Sequence, residues 1–189
     1  MYPTKAEING KEYKINTSWQ NALECFEIIN DDTICDEERA LAIVYKIFGF
    51  IPDNNFETFL KKAQYFLQCG ETVEEQNAKE VDMDFNQDLN YISASFMSDY
   101  HIDLSKEDIH FWQFISFIKG LTENSALSRI RKIRNYDISD FDDPKVKSAI
   151  IEAKKHVELK NTVKISKEKQ EAQQRFFELA HIRRWKNGR

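Results

Sequence analysis

Three cysteines, three prolines and five glycines are few for a chain of 189 residues. A fold built from hairpins and tight turns draws on glycine and proline, so their scarcity argues against a β-sandwich and for long helices. Cys25, Cys35 and Cys69 are scattered and odd in number, and none belongs to a C-x-x-C pair. Neither a disulfide framework nor a zinc site is expected, and a reducing compartment fits. The chain has no run of about 18 apolar residues of the kind a membrane span needs, and its beginning lacks an apolar signal region. A soluble, intracellular protein is therefore expected. Also missing are a glycine-rich phosphate loop, an H-E-x-x-H pair and a cysteine beside a recognisable base. Nothing among the motifs argues for an enzyme or a cofactor.

Aromatic bulk and charge are what the chain does have. Aromatics reach 13%, with 14 Phe, 7 Tyr and 3 Trp, enough to fill a compact core. The net charge of −5 is unevenly placed. From residue 154 onward there are 11 Lys and Arg against 4 Glu, or +7, while the remainder has 16 against 28, or −12. An acidic body thus carries a basic tail, able to meet an acidic protein face, nucleic acid or the chain's own acidic surface.

The pattern predicts a mainly α protein: a helical bundle with a small N-terminal β-hairpin and a C-terminal helical extension. Asn9-Gly10 suits a primed hairpin turn flanked by Ile8, Tyr13 and Ile15. Thr17 to Gln20 has the form of a capping box opening a helix to about Asn30, with Trp19, Ala22, Leu23, Phe26 and Ile29 on one face. A second helix is expected over Asp36 to Phe48, with Leu41, Val44, Ile47 and Phe48 inward and Gly49 as its stop. A third, capped by Asp53, carries Phe56, Phe59, Leu60, Ala63 and Leu67 and ends at Gly70. Residues 71–83, acidic and poor in apolar side chains, read as a linker or exposed loop. A helix from about residue 85 follows with Leu89, Ile92, Phe96 and Tyr100. Ser105 and Asp108 form another capping box ahead of Ile109, Trp112, Ile115, Phe117 and Ile118, and a short basic helix covers about 123–134. Asp143-Pro144 starts a helix to about Leu159, and Ser166 caps a last one through Trp185. The expected division is a core domain over 1–140 and a basic extension over 141–189.

Few constellations could carry chemistry. Asp82, Asp84, Asn86 and Asp88 imitate the front half of an EF-hand loop, but Gln87 replaces the required Gly and Ser93 the bidentate Glu, so no metal site is expected. An acidic helix start explains these carboxylates as well. His101, Asp103 and His110 fit no zinc spacing, and His110 reads as a packing residue with one hydrogen bond. Three functional classes stay open. A protein-binding module would use apolar helix surfaces. A nucleic-acid binder would use Arg129, Arg131, Arg134, Arg183 and Arg184. An enzyme of unknown type would use Asp84, Asp88 and His110. The last helix, with Phe176, Leu179 and Trp185, fits a partner-docking helix, a nucleic-acid contact through HIRRWKNGR, or a terminal helix packed on its own domain.

The stretch DFNQDLNYISASFMSDYHIDL, the aromatic helix IHFWQFISFIKGL and the basic helix LSRIRKIRNYDI resemble the bacteriophage gene product fifteen family of tailed phages and prophages. The opening INGKEYKINTSWQNALECFEII is similar to that family's start. The resemblance implies a morphogenesis protein without catalysis or cofactor: a tail assembly chaperone that covers the tape-measure protein in the host bacterial cytoplasm, with the virion as the alternative location. It implies tail proteins as partners, a homo-oligomer as a further option, and neither membrane nor nucleic acid. Phe96, Met97, Phe111, Trp112, Phe117, Phe176, Leu179 and Trp185 are the candidate partner-binding residues. Most of them are expected to be ordinary core, with a minority available.

Overall fold

The computed structural model describes residues 2–31, 33–70 and 82–159. These are mainly helical, as expected, with one two-stranded antiparallel hairpin. Contacts divide them into two units. The first holds the described residues up to Gly70 together with Ile109–Phe114; the second holds residues 82–108 and 115–159. The linker expected over 71–83 lies outside the described residues except for Asp82 and Met83, and the helix expected from Ser166 lies wholly outside them.

In the first unit, β1 (Lys5–Ile8) pairs with β2 (Lys11–Lys14), Lys5 opposite Lys14 and Ile8 opposite Lys11. Asn9 and Gly10 turn the chain with φ of 52° and 76°, the positive values a two-residue primed turn demands. The hairpin is held to the helices by Ile8, Ile15 and an Asn16 N–H that donates to the Ile47 carbonyl at 2.7 Å. Such support is needed because an isolated hairpin is marginal in water.

Helix α1 (Trp19–Asn30) buries Trp19, Ala22, Leu23, Cys25 and Ile29. Its start is not a capping box: Ser18 makes no side-chain cap, and the chain instead bridges to the 109–111 strand-like segment, with Trp19 N–H on the Ile109 carbonyl and Phe111 N–H on the Thr17 carbonyl. Helix α2 (Asp36–Phe48) ends at Gly49, left-handed at φ 79°. Its inner face is Ala40, Ile43, Val44 and Ile47, the i, i+3, i+4, i+7 stripe, so Leu41 points outward, contrary to expectation. Helix α3 (Phe56–Leu67) is preceded by left-handed Asn55 instead of an Asp53 cap, and buries Phe59, Leu60, Ala63, Phe66 and Leu67. Rings of Tyr13, Phe48 and Phe50 all meet Phe59 within 4.8 to 5.6 Å. Buried Arg39 ties the α1–α2 connection by donating to the carbonyls of Ile28, Asp31 and Ile34 while pairing with Asp36.

The second unit contains α4 (Leu89–Tyr100), α6 (Ala126–Asn135), a 3-10 turn (Ile138–Asp140) and α7 (Pro144–Val157). Helix α5 (Phe111–Lys119) gives its first residues to unit one and the rest to unit two. It starts six residues after Ser105. The expected box there is displaced because Asp103 Oδ1 accepts from both the Ser105 N–H and its hydroxyl, a local turn that competes with helix. Within unit two, Tyr100 stacks on Phe117 at 4.5 Å and Phe96 meets Phe117 edge-on at 5.8 Å. Buried Ser95 joins α4 to α6 by accepting the Leu127 N–H at 2.9 Å. Among the described residues no helix is long and apolar enough to cross a membrane.

Two left-handed glycines follow helices, Gly49 as the cap of α2 and Gly70 three residues past the end of α3, in different surroundings. A Cβ on Gly49 would meet nothing within 4 Å, whereas one on Gly70 (φ 80°) would lie 3.1 Å from both the Trp112 ring and the Tyr65 hydroxyl. Gly49→Ala should therefore cost about 1–2 kcal/mol from backbone strain alone, and Gly70→Ala measurably more. Urea unfolding midpoints of the two variants check this; equal losses would contradict the crowding at Gly70.

Candidate partner-binding groove

Helix α7 is built from strong local signals. Asp143 accepts the Lys145 N–H at 2.8 Å as its cap, and Pro144 occupies the first turn, where its missing N–H costs nothing. Its sequence offers Val146, Ala149, Ile150, Ile151, Ala153 and Val157, yet none of its 14 residues is buried. A helix with an apolar stripe normally buries it against a neighbour. Among the described residues the stripe leans on α6 without being closed over, leaving a groove of about 380 Å³ inside unit two. Ile133 and Tyr136 line one side and Val146, Ala149, Ile150 and Ala153 the other, and among the described residues Lys145 is the only charged one in the lining.

Polar ties at the C-terminal end of α7 fix it in that position. Lys154 Nζ donates to the Tyr136 carbonyl at 2.6 Å, and Gln87 Nε2 donates to the Glu158 carbonyl at 2.8 Å. The central tie is Arg134. Its Nε donates to the Val157 carbonyl at 2.6 Å, and its two terminal nitrogens grip Asp88 in a bidentate pair at 2.7 and 2.8 Å. The Asp88 side chain is fully buried and that of Arg134 is 8% exposed. Asp88 also accepts the Asp84 N–H, and Arg134 donates to the Asp82 carbonyl. Arg131 and Asn135 both reach the Asp82 carboxylate. One guanidinium therefore joins residues 82–88, α6 and the end of α7, using the planar fork that only arginine offers.

This arrangement reassigns several residues singled out in the sequence. Asp84 accepts the N–H groups of Asn86 and Gln87, so it caps a turn, and Asp88 is saturated by Arg134. Among the described residues no group of three or more His, Cys, Asp or Glu is placed to hold a metal. Arg131 and Arg134, two of the five arginines considered for nucleic acid, are committed to Asp82 and Asp88; Arg183 and Arg184 lie outside the described residues. His110, in unit one, makes two hydrogen bonds where the sequence suggests one: Nε2 donates to the Pro3 carbonyl at 2.9 Å and Nδ1 accepts the Trp112 N–H at 3.0 Å. His101 is the left-handed cap of α4. The hydrogen bonds from Lys106 and Ser105 hold the Asp103 carboxyl down at about 2. Burial pushes the Cys25 thiol up to about 12, which leaves it a packing group.

The candidate partner-binding residues scatter in accessibility. Phe96 and Phe111 are sealed in the cores and cannot meet a partner without opening them. Their aromatic spacing marks a helix interior, which sequence alone does not separate from an exposed stripe. Trp112 and Phe117 are half-buried, the former donating its indole N–H to the Phe66 carbonyl. Met97 is 46% exposed. Phe176, Leu179 and Trp185 lie outside the described residues. Sequence reasoning does not pick out the groove residues as a site; their only signal is an apolar stripe on the Asp143-Pro144 helix with no obvious covering element.

The buried clasp makes a sharp prediction. Arg134→Met leaves a buried Asp88 unpaired and should cost about 3–5 kcal/mol, while adding Asp88→Leu should recover most of that loss. A double-mutant cycle by urea unfolding reads both; a loss under about 1 kcal/mol for the single variant would contradict the clasp.

A family model described as Bacteriophage Gp15 protein matches residues 2–159. Neither a curated protein nor a solved structure matches the chain.

Proposed function

The chain belongs to the Bacteriophage Gp15 protein family, which makes it a phage morphogenesis-related protein, and we propose that within that role it acts as a tail assembly chaperone for the tape-measure protein. In this reading it performs no bond chemistry. It holds a partner polypeptide through apolar helix surfaces in the host cytoplasm until the tail tube encloses that partner.

The observation that carries the proposal is α7, a helix with six apolar residues and none of them buried, standing over an apolar groove that no described residue fills. A tape-measure protein is a long helical chain with apolar stripes, and such stripes aggregate unless covered. Amphipathic helices dock by laying their apolar face into a groove between two others. Reversible cover needs a groove that is preformed and only partly apolar at its rim, and Lys145 supplies that rim. Exposed Met97, with its flexible thioether, adds an adaptable contact on the same unit.

Co-expression of this chain with the tape-measure protein of the same phage tests the reading. The tape-measure protein should move from the insoluble to the soluble fraction and co-purify with the chain at low salt. A tape-measure protein that remains insoluble, or that is soluble but elutes alone, would remove the chaperone role.

A further inference from the structure

The outer edge of β1 is complementary to itself, and we infer that two copies of this chain join there, in an antiparallel, two-fold pairing of their β1 strands centred on Ala6. The pairing goes beyond the chaperone reading and does not rest on it.

Backbone direction comes first. The Ile15 N–H donates to the Thr4 carbonyl at 3.1 Å, which makes Thr4 and Ile15 a hydrogen-bonded pair of the hairpin. Such pairs alternate with non-bonded ones along an antiparallel ladder, so in this register Ala6–Tyr13 and Ile8–Lys11 are the next bonded pairs. The main-chain N–H and C=O of Lys5 and Glu7 therefore point away from β2. No described residue bonds to them on that side, and the sheet has only its two strands among the described residues. Both residues are exposed. An open edge of this kind is a template for another strand, and a two-stranded hairpin gains stability by being extended.

Charge then selects the occupant. A strand added to this edge must set its own outward-facing residues against Lys5 and Glu7, because only those exchange main-chain bonds there. When the added strand is a second β1, centring on Lys5 or on Glu7 brings like charges face to face, which is unfavourable. Centring on Ala6 sets each Lys5 against the partner's Glu7 and each Glu7 against the partner's Lys5. Small Ala6 then meets the partner's Ala6 on the two-fold axis, at a non-bonded pair, where antiparallel backbones lie closest.

The hairpin itself leaves these charges unsatisfied. Its register places Lys5 opposite Lys14 and Glu7 opposite Glu12. Lys5 escapes by a diagonal bridge to Glu12 at 2.6 Å, but Glu7 makes no ion pair with a described residue. A second β1 gives Glu7 the opposing lysine that its own hairpin withholds. The β2 edge repeats the alternation in Glu12 and Lys14, but is the poorer fit. Glu12 is already engaged by Lys5, and the central residue is the bulky Tyr13, whose ring packs edge-on against Phe59 at 4.8 Å.

Sedimentation of the full chain at low salt tests the pairing, over about 10 to 300 µM because so short an interface associates weakly. Monomer should give way to dimer as concentration rises. Lys5→Glu and Glu7→Lys should each weaken self-association by at least about tenfold, since each makes both opposed pairs like-charged. Mixed in equal amounts, the two variants should dimerise again, every carboxylate now meeting an ammonium. Lys14→Glu, on the other edge, should leave association unchanged. Thermal melts check that the variants stay folded. A readout free of substitutions is amide exchange in the unaltered chain: the Lys5 and Glu7 amides should slow as concentration rises, and those of Glu12 and Lys14 should not.

A chain that stays monomeric throughout overturns the inference. So does a dimer that a folded Lys5→Glu variant leaves intact, a mixture of the two folded variants that fails to associate, or a dimer lost with Lys14→Glu. Concentration-dependent protection at Glu12 and Lys14 in place of Lys5 and Glu7 assigns the contact to β2 and overturns it equally. Failure of the tape-measure co-expression with the dimer present removes the chaperone reading alone. Tape-measure rescue by a chain that never dimerises removes the β1 pairing alone.

Discussion

The bidentate pairing of Arg134 with Asp88 is the contact on which the second unit turns. It is buried on both sides, and burying two charges is favourable only where geometry and further hydrogen bonds repay the lost hydration. Such bonds surround this pair: Arg134 also donates to the carbonyls of Asp82 and Val157, and Asp88 takes the Asp84 N–H. No buried side-chain nitrogen or oxygen among the described residues is left without a partner. The pair also fixes where the end of α7 stands, through the Arg134 bond to the Val157 carbonyl.

That decision explains an otherwise odd helix. The helices of unit one are fixed by their faces: Phe111 against Phe26 and Phe66, Trp19 stacked on Phe114, and the rings gathered round Phe59. Helix α7 is fixed by its end. Polar ties at Lys154, Val157 and Glu158 hold it while its apolar face stays partly in water. Holding a helix by directional bonds leaves its apolar face free for something else, which is how a stable protein can keep a greasy groove open without collapsing onto it. The same ties absorb arginines that would otherwise read as a phosphate-binding stripe, so the basic look of α6 in the sequence belongs partly to internal architecture.

Elements specified by local chemistry are legible in the amino-acid sequence. The Asn9-Gly10 turn, the Gly49 stop and the Asp143-Pro144 start each depend on residues within one turn of chain, and each stands where those residues place it. The same local rules fail at Ser105 and Thr17. There a longer-range bridge between Ser18 and His110, and the Asp103 turn, win over the helix caps. Helix phase is legible only approximately, since α2 shows Leu41 to solvent and Ile43 to the core. The clasp is not legible at all: its partners are 46 residues apart, and neither residue type predicts the other. The groove is half legible, because the apolar stripe of α7 can be read off, but not that nothing among the described residues covers it.

Native-state hydrogen exchange tests most directly whether α7 is anchored at its end and open along its face. The amides over Val146–Ala153 should exchange faster than those of α1 and α4 in the free chain, and should slow selectively once the tape-measure protein is bound. Protection of α7 equal to that of α1 in the free protein, or unchanged in the complex, would contradict the account.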